Sequence, residues 1–364
     1  MLRIGLIGAG LIGSTHAMVL RQIADVAHPG RVRFTAVADP LETQREHFRE
    51  RFGFEKAYAD AAALLRDAEL DALFLCTPTR YHAEIFHAAV ERGLSIFCEK
   101  PLAMSWAEGK EMVEHAEAKG VPTQIGLVLR FSAVYAAMKA EAERPQMGPP
   151  VAVVFRDDQC FPIRGVHHTA WRKDRSLTAG GTMIEHGVHD IDLMTSMFGP
   201  IARLCAWQKN RAGHPGIEDY VAIEAEFASG LQAQLVNLWH DVVKRYSNRR
   251  LEIFCQNGFI ASDHDMAGPV RVQVGDGDEE AISADDVLRR YVAELRREQH
   301  PLAGWFGIPY LVQDLAFVDA LLERRRPAPD LRIGLEAQRV VEAIYFAART
   351  RDEVDVAQFE PTKI

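Results

Sequence analysis

Ile4-Gly5-Leu6-Ile7-Gly8-Ala9-Gly10-Leu11-Ile12-Gly13 holds a short apolar run, a glycine-rich turn and the start of a helical pattern, in that order. Gly8 permits the tight turn. Gly10 has no Cβ, so the backbone there can come close to a ligand, and Gly13 lets the helix pack against the strand it follows. The free N–H groups at the helix start, at Leu11 and Ile12, face outward with the positive end of the helix dipole behind them, a site suited to a pyrophosphate. The spacing alone is weak evidence. Its strand–turn–helix setting makes it a strong reading of a dinucleotide-binding unit.

Working outward, the first third of the chain repeats the strand–helix alternation. Runs at Ile4–Ile7, Phe34–Ala38, Ala72–Cys76 and Ser95–Cys98 are too short for helices and end at turn signals, so they read as buried strands. Helical patterns fill 12–23, 43–52, 59–66 and 83–91, and Ser105 with Glu108 caps a further helix to Lys119. Alternating units of this kind form a parallel sheet with helices on both faces, a Rossmann domain over residues 1–125.

Beyond a helix at 133–143 and the breaker Arg144-Pro145-Gln146-Met147-Gly148-Pro149-Pro150, strand alternation dominates: 151–156, 220–227, 231–239, 251–255 and 270–274. Ser229-Gly230 reads as a hairpin turn. Helices are expected near 181–198, 284–297, 310–324 and 335–349. The fold expected is α/β: the N-terminal Rossmann parallel sheet, then an α+β domain over 126–364 with a large, open, mostly antiparallel sheet. The helix at 335–349 is allowed to pack back toward the first domain.

With 364 residues, two cores are the natural expectation. An apolar fraction of 48% with 26% charged residues excludes a disordered chain. The net charge of −9 argues against nucleic acid or anionic lipid as the partner. No apolar run approaches the ~20 residues of a membrane helix. No signal peptide is apparent, and the five cysteines are scattered without a CxxC pair, which fits a reducing cytoplasm.

Asp39 ends the second strand, where an acid accepts hydrogen bonds from the adenosine ribose. It lies further from the glycine motif than the usual ~20 residues, and the His28-Pro29-Gly30 loop accounts for the excess. A carboxylate there repels a 2′-phosphate and favours NAD over NADP. Arg45 is the nearest base that would accommodate NADP. Two more segments sit at expected strand ends: Thr77-Pro78 followed by His82, and Glu99-Lys100-Pro101. The proline restricts Lys100 and can hold the bond before it in cis.

These segments, with Gly180-Gly181 leading into Glu185-His186-Gly187-Val188-His189-Asp190-Ile191-Asp192, resemble the glucose–fructose oxidoreductase / inositol dehydrogenase (Gfo/Idh/MocA) family over nearly the whole chain. Arg130 and Trp171-Arg172 fit the same pattern. The resemblance implies a Rossmann domain joined to an open-sheet domain that often forms an oligomer interface. It implies chemistry on a secondary alcohol or carbonyl of a sugar, polyol or related ring. It implies that Lys100 bonds the reacting oxygen, that His189 is the acid/base, and that Trp171 and Arg172 close over the nicotinamide. Glu185 stands where many members carry aspartate.

That chemistry is coherent on its own terms. Histidine, with a pKa near ~6.5, suits proton removal at neutral pH, and a lysine ammonium stabilises alkoxide-like charge. On an α-helix Glu185 and His189 share a face, and one of Asp190 and Asp192 is expected to be structural. Arg130, His167 and His168 are expected on the substrate side. Glu185, His186 and His189, with His167 and His168 upstream, have ligand chemistry, but no metal is expected. Rival readings are a glycoside hydrolase that uses NAD transiently and a non-catalytic dinucleotide-binding regulator. The retention of Lys100 and His189 argues against the regulator. A homodimer or homotetramer is expected, because apolar positions such as Val221, Ile223, Leu235 and Val236 exceed what the chain's own helices can cover.

Overall fold

The computed structural model of the chain describes residues 1–165 and 169–361. Two units divide it. The first contains Met1–Leu127, His300–Leu302 and Tyr310–Glu336; the second contains Val128–Gln299, Ala303–Pro309 and the residues from Ala337 onward.

In the first unit, strands β1 (Leu2–Ile7), β2 (Val32–Ala38), β3 (Lys56–Tyr58), β4 (Ala72–Leu75), β5 (Ser95–Cys98) and β6 (Thr123–Ile125) form one sheet in the order β3-β2-β1-β4-β5-β6. Every pairing is parallel. This is the doubly wound order, with its switch point between β1 and β4. Helices α1 (Leu11–Gln22), α2 (Glu42–Phe52), α3 (Ala61–Asp67), α4 (His82–Glu91) and α5 (Trp106–Lys119) make the crossovers. Ser105 caps α5 by accepting from the Glu108 N–H, while the Glu108 carboxylate accepts from the Met104 N–H, one residue before the cap.

The chain enters its second unit through α6 (Ala133–Ala142). Strands β7 (Pro150–Cys160), β8 (Ile201–Lys209), β9 (Tyr220–Phe227), β10 (Gln232–His240), β11 (Asn248–Cys255), β12 (Gly258–Ser262), β13 (Val270–Val274), β14 (Glu280–Ile282) and β15 (Val354–Asp355) build a nine-stranded sheet. Its pairings are antiparallel except β7 with β10. Helices α7 (Val188–Phe198) and α8 (Ala284–Glu294) belong to this unit. Strict alternation separates the two faces of the sheet. Val221, Ile223 and Leu235 are buried, whereas Val236 points to the opposite face and is half-buried. The four therefore do not share an uncovered face. The apolar side chains that do stand exposed on the outer face are Val154, Trp207 and Phe254.

One assignment differs from the sequence reading. Helix α9 (Pro309–Leu322) and the start of α10 (Leu331–Thr350) fall, from Tyr310 to Glu336, in the first unit, where the reading placed them in the second. From Ala337 onward α10 belongs to the second unit. The cause is side-chain chemistry rather than periodicity. Leu331 joins the apolar core of α4 and α5. Asp314 and Asp319 on α9 are buried against His16 and His28.

Candidate active site

The turn after β1 has the shape its glycines predict. Gly8 adopts φ +102°, and a Cβ there would fall 2.5 Å from the Cys76 carbonyl oxygen. A Cβ on Gly13 would fall 2.1 Å from the Gly8 carbonyl oxygen. Gly10 is different: nothing lies within 4 Å of where its Cβ would be. No side chain caps α1 at Gly10, so the first-turn N–H groups at Leu11, Ile12 and Gly13 are left for a ligand. Open space beside uncapped donors is what a pyrophosphate needs.

Asp39 is half-buried beside this turn. Its Oδ2 accepts the Ala9 N–H and its Oδ1 the Leu41 N–H, each at 2.9 Å, while Gln44 donates to the Ala9 carbonyl at 2.8 Å. Each carboxylate oxygen keeps a lone pair for a ribose hydroxyl. Arg45 folds back toward the Pro40 carbonyl and Glu42.

At the end of β4, Thr77 and Pro78 are half-buried. His82 is buried, with Nε2 2.9 Å from the Thr77 carbonyl oxygen and Nδ1 3.3 Å from that of Leu102. Its ring therefore holds the Thr77-Pro78 turn in place rather than facing open space. At the end of β5, the Lys100-Pro101 bond is cis and Lys100 is half-buried. Glu99 turns inward. Its Oε1 meets His16 at 3.0 Å and its Oε2 accepts the Lys100 backbone N–H at 3.2 Å. Thr77 and Pro78 thus stand at the carboxyl end of β4, which flanks the switch point, and Lys100 at that of the neighbouring β5, while His82 and Glu99 support them from behind.

In the second unit the expected helix at 181–198 is two elements. Met183–Gly187 is a π turn and α7 follows it. Glu185 lies in the π turn and His189 in the first turn of α7, so two elements carry them rather than the single α-helix expected. Close packing surrounds the turn. A Cβ on Gly181 would fall 1.8 Å from the Glu218 carbonyl oxygen, and one on Gly187 would fall 2.5 Å from the end of Met183. Buried Glu218 caps the turn, accepting the N–H groups of Gly181 at 2.8 Å and Met183 at 2.9 Å, and the Tyr345 hydroxyl at 2.8 Å. Burial pushes the Glu218 carboxyl above its ordinary range, and those donors pull against it.

Glu185 is buried, accepting the Thr178 hydroxyl and, at 3.4 Å, the Arg172 Nε. Trp171 and Arg172 are half-buried in a 3₁₀ turn, the guanidinium carbon lying 5.0 Å from the indole ring centre. His189 is buried in the first turn of α7. His167 and His168 lie outside the described residues.

Both aspartates after His189 are structural. Asp192 takes a bidentate bond from Arg130, with distances of 2.7 to 3.0 Å, so the guanidinium expected on the substrate side is bound to α7. Asp190 accepts from Asn237 and from Arg249. Arg249 also reaches Asp157 and Asp265 and donates to His186 Nε2 at 3.0 Å. His186 Nδ1 lies 2.6 Å from Asp157 Oδ2. Burial, then the Asp157 charge, outweighs Arg249 and lifts the Asp190 carboxyl to about 8. Asp157, Arg249, Asn237, Glu218 and Tyr345 carried no sequence signal, because each finds its partner across long chain separations. Among the described residues, no group of three or more His, Cys, Asp or Glu side chains is arranged to hold a metal ion. No helix among them is long and apolar enough to cross a membrane.

Residues 2–127 match the family model described as an oxidoreductase family with an NAD-binding Rossmann fold, and residues 135–261 match the Gfo/Idh/MocA C-terminal domain. The chain belongs to the Gfo/Idh/MocA family of oxidoreductases. It is similar to the myo-inositol 2-dehydrogenase of Thermotoga maritima, 28% identical over 270 residues that cover 72% of this chain and 75% of that protein. The inositol 2-dehydrogenase of Rhizobium meliloti is 24% identical over 362 residues, covering 98% of this chain and 99% of that one. In fold it is similar to levoglucosan dehydrogenase solved with NADH and levoglucosan, at a TM-score of 0.84 and 21% identity, covering 98% of this chain and all of that one.

Proposed function

We propose that this family member is an NAD-dependent dehydrogenase of a ring-borne secondary alcohol on a sugar, an inositol or a related polyol, working in either direction. The observation that carries the reading is the glycine turn: open space at Gly10 beside uncapped helix donors, with Asp39 half-buried next to it. Similarity to inositol dehydrogenases supports the substrate class. Asp39 supports NAD over NADP, since its carboxylate would stand against a 2′-phosphate.

NAD, which the Leu11, Ile12 and Gly13 N–H groups and Asp39 would hold, would supply the hydride acceptor for the alcohol carbon. The protein's task is the rest. Lys100 donates a hydrogen bond to the reacting oxygen and stabilises the charge that builds there. His189 takes the hydroxyl proton, so that alcohol and NAD give carbonyl, NADH and one proton. Glu185, held by Thr178 and Arg172, lends negative charge to that side of the reaction. Thr77 and Pro78 shape the wall at the end of β4, and Trp171 covers the nicotinamide end. The five thiols are free and four are buried, which supports a reducing compartment such as the cytoplasm. The exposed Val154, Trp207 and Phe254 support assembly into a homodimer or homotetramer.

The test is a panel of sugars, polyols and sugar acids with NAD and NADP, read by net NADH or NADPH formation. Net reduced coenzyme also separates a dehydrogenase from a hydrolase that oxidises its substrate only transiently. Lys100→Met and His189→Ala should each retain NAD binding, and His189→Ala should lose roughly 10²–10⁴-fold in turnover. Well-folded variants with full activity would end the assignment of this pair.

A further inference from the structure

His16 stands three residues past Gly13 on α1 and is fully buried. Its Nδ1 lies 2.8 and 3.0 Å from the two carboxylate oxygens of Asp314 on α9, and its Nε2 lies 3.0 Å from Glu99 Oε1 at the end of β5. Both ring nitrogens thus face carboxylate oxygens. A neutral imidazole has one N–H and satisfies one of them; an imidazolium satisfies both. Burial works against the charged ring, but Asp314 and Glu99 outweigh it and hold the ring's pKa at about 10.

The chain of bonds does not stop at Glu99. Its other oxygen accepts the backbone N–H of Lys100. Gly126 leaves the carboxylate its room, since a Cβ there would fall 2.5 Å from Oε1. The surroundings are otherwise aromatic: Phe74, Phe97 and Tyr310 place ring centres 5.0 to 5.9 Å from that of His16. In such an interior apolar side chains of similar volume stabilise a fold as well as a buried ion pair does, or better. The ions therefore point to a requirement other than stability.

We propose that His16 and Asp314 are positioning residues: as a buried cation–carboxylate pair they fix the Glu99 carboxylate and, through it, the backbone that presents Lys100 to the reacting oxygen. The inference rests on the role given to Lys100 above. The titratable and charged groups at His16 are Asp314 from α9, to which Gln313 also donates, Tyr310 from the same helix and Glu99 at the end of β5, while Cys76 and Cys98 feel the Glu99 charge. Burial first, then Glu99, pushes both thiols up, so they stay neutral and do not compete for the ring.

Asp314→Asn keeps size and a hydrogen-bond acceptor but removes the charge that keeps the ring protonated. We expect this variant to show a new ionisation in kcat between about pH 6 and 8 that the wild type lacks. Its kcat should be near wild type at the acid end and about tenfold lower at pH 9, while KM and the NAD dissociation constant stay within about twofold. His16→Gln should be slow at every pH. A kcat profile for Asp314→Asn parallel to wild type, with only its melting temperature lowered, would make the cluster merely structural and overturn the proposal. Should the variant not fold, histidine-selective NMR of the wild type decides. A His16 ring that keeps its second proton past about pH 9 supports the proposal, and one that has lost it by about pH 8 overturns it. Lys100→Met run alongside separates the failures. Full activity there sinks the role of Lys100, whereas an inactive Lys100→Met beside an unperturbed Asp314→Asn sinks only the positioning role.

Discussion

Asp39 shows how a single side chain does two jobs. Its carboxylate anchors the glycine turn through the Ala9 N–H and keeps lone pairs toward the ribose side. Replacing it with alanine should therefore narrow the gap between NAD and NADP and also loosen NAD binding itself, both read by coenzyme titration. Equal affinities of the wild-type protein for NAD and NADP would remove the basis of this reading. At this scale the sequence was partly legible. Gly8, Gly10, Gly13, Asp39 and Lys100 could be picked out because each sits at a fixed offset from a strand or helix end, and His189 through the family resemblance. Glu99 and His82 were picked out from strand ends and Arg130 through the resemblance, yet their polar groups turn inward to His16, to the Thr77 carbonyl and to Asp192. Offset tells which residue is near a site, not which way it points. His16 and Asp314, 298 positions apart, gave no signal, because nothing local marks a residue whose partner lies so far along the chain.

Among the elements, the first helix makes the sharpest test of why each glycine is where it is. Gly10→Ala should leave the unfolding free energy within about 0.5 kcal/mol, as for a substitution that touches nothing, because a Cβ there meets no atom and the residue has ordinary negative φ. It should nonetheless weaken NAD binding strongly. Gly13→Ala should do the reverse, destabilising the apo protein, since its Cβ would collide with the Gly8 carbonyl. If both variants lose stability alike, the open space at Gly10 is not a ligand's space. In the second unit, β11 and α7 are joined by Arg249 among three carboxylates. Arg249→Leu leaves the Asp157 and Asp190 carboxyls buried without their cation, and should cost about 3–5 kcal/mol at neutral pH by urea unfolding. The pH sign is fixed by Asp190. Its folded pKa of about 8 lies above the ordinary 3.8, so its proton-linked contribution is complete below 3.8 and is lost as pH rises through 8. The deficit of Arg249→Leu should therefore shrink on acidification, and a deficit that grows instead would contradict the ionic account. Most elements could be read from period and caps, including the hairpin at Ser229-Gly230. The π turn at Met183–Gly187 could not, because its residues are as compatible with an α-helix. What widens it is packing against Glu218, Asn237 and Tyr345 from elsewhere in the chain.

For the whole molecule, the family and the two sheets follow from patterns that run the length of the chain, while the allotment of Tyr310–Glu336 follows from buried polar partners that no pattern displays. The outer face of the nine-stranded sheet carries Val154, Trp207 and Phe254, each 39% to 45% exposed, within rows of charged and polar neighbours. Burying that face in a second copy would account for them. Light scattering at micromolar concentration should give a dimer or tetramer, and Trp207→Glu should shift it toward monomer. A wild-type monomer would remove the assembly. The claim on which the rest depends is hydride transfer assisted by Lys100. Its most direct measurement is NADH formation by wild type and Lys100→Met, side by side, on the best substrate of the polyol and sugar panel, with NAD affinity measured for both. The account predicts equal NAD binding, net NADH from the wild type and loss of most turnover in the variant. A folded, NAD-binding Lys100→Met that forms NADH at the wild-type rate would contradict it.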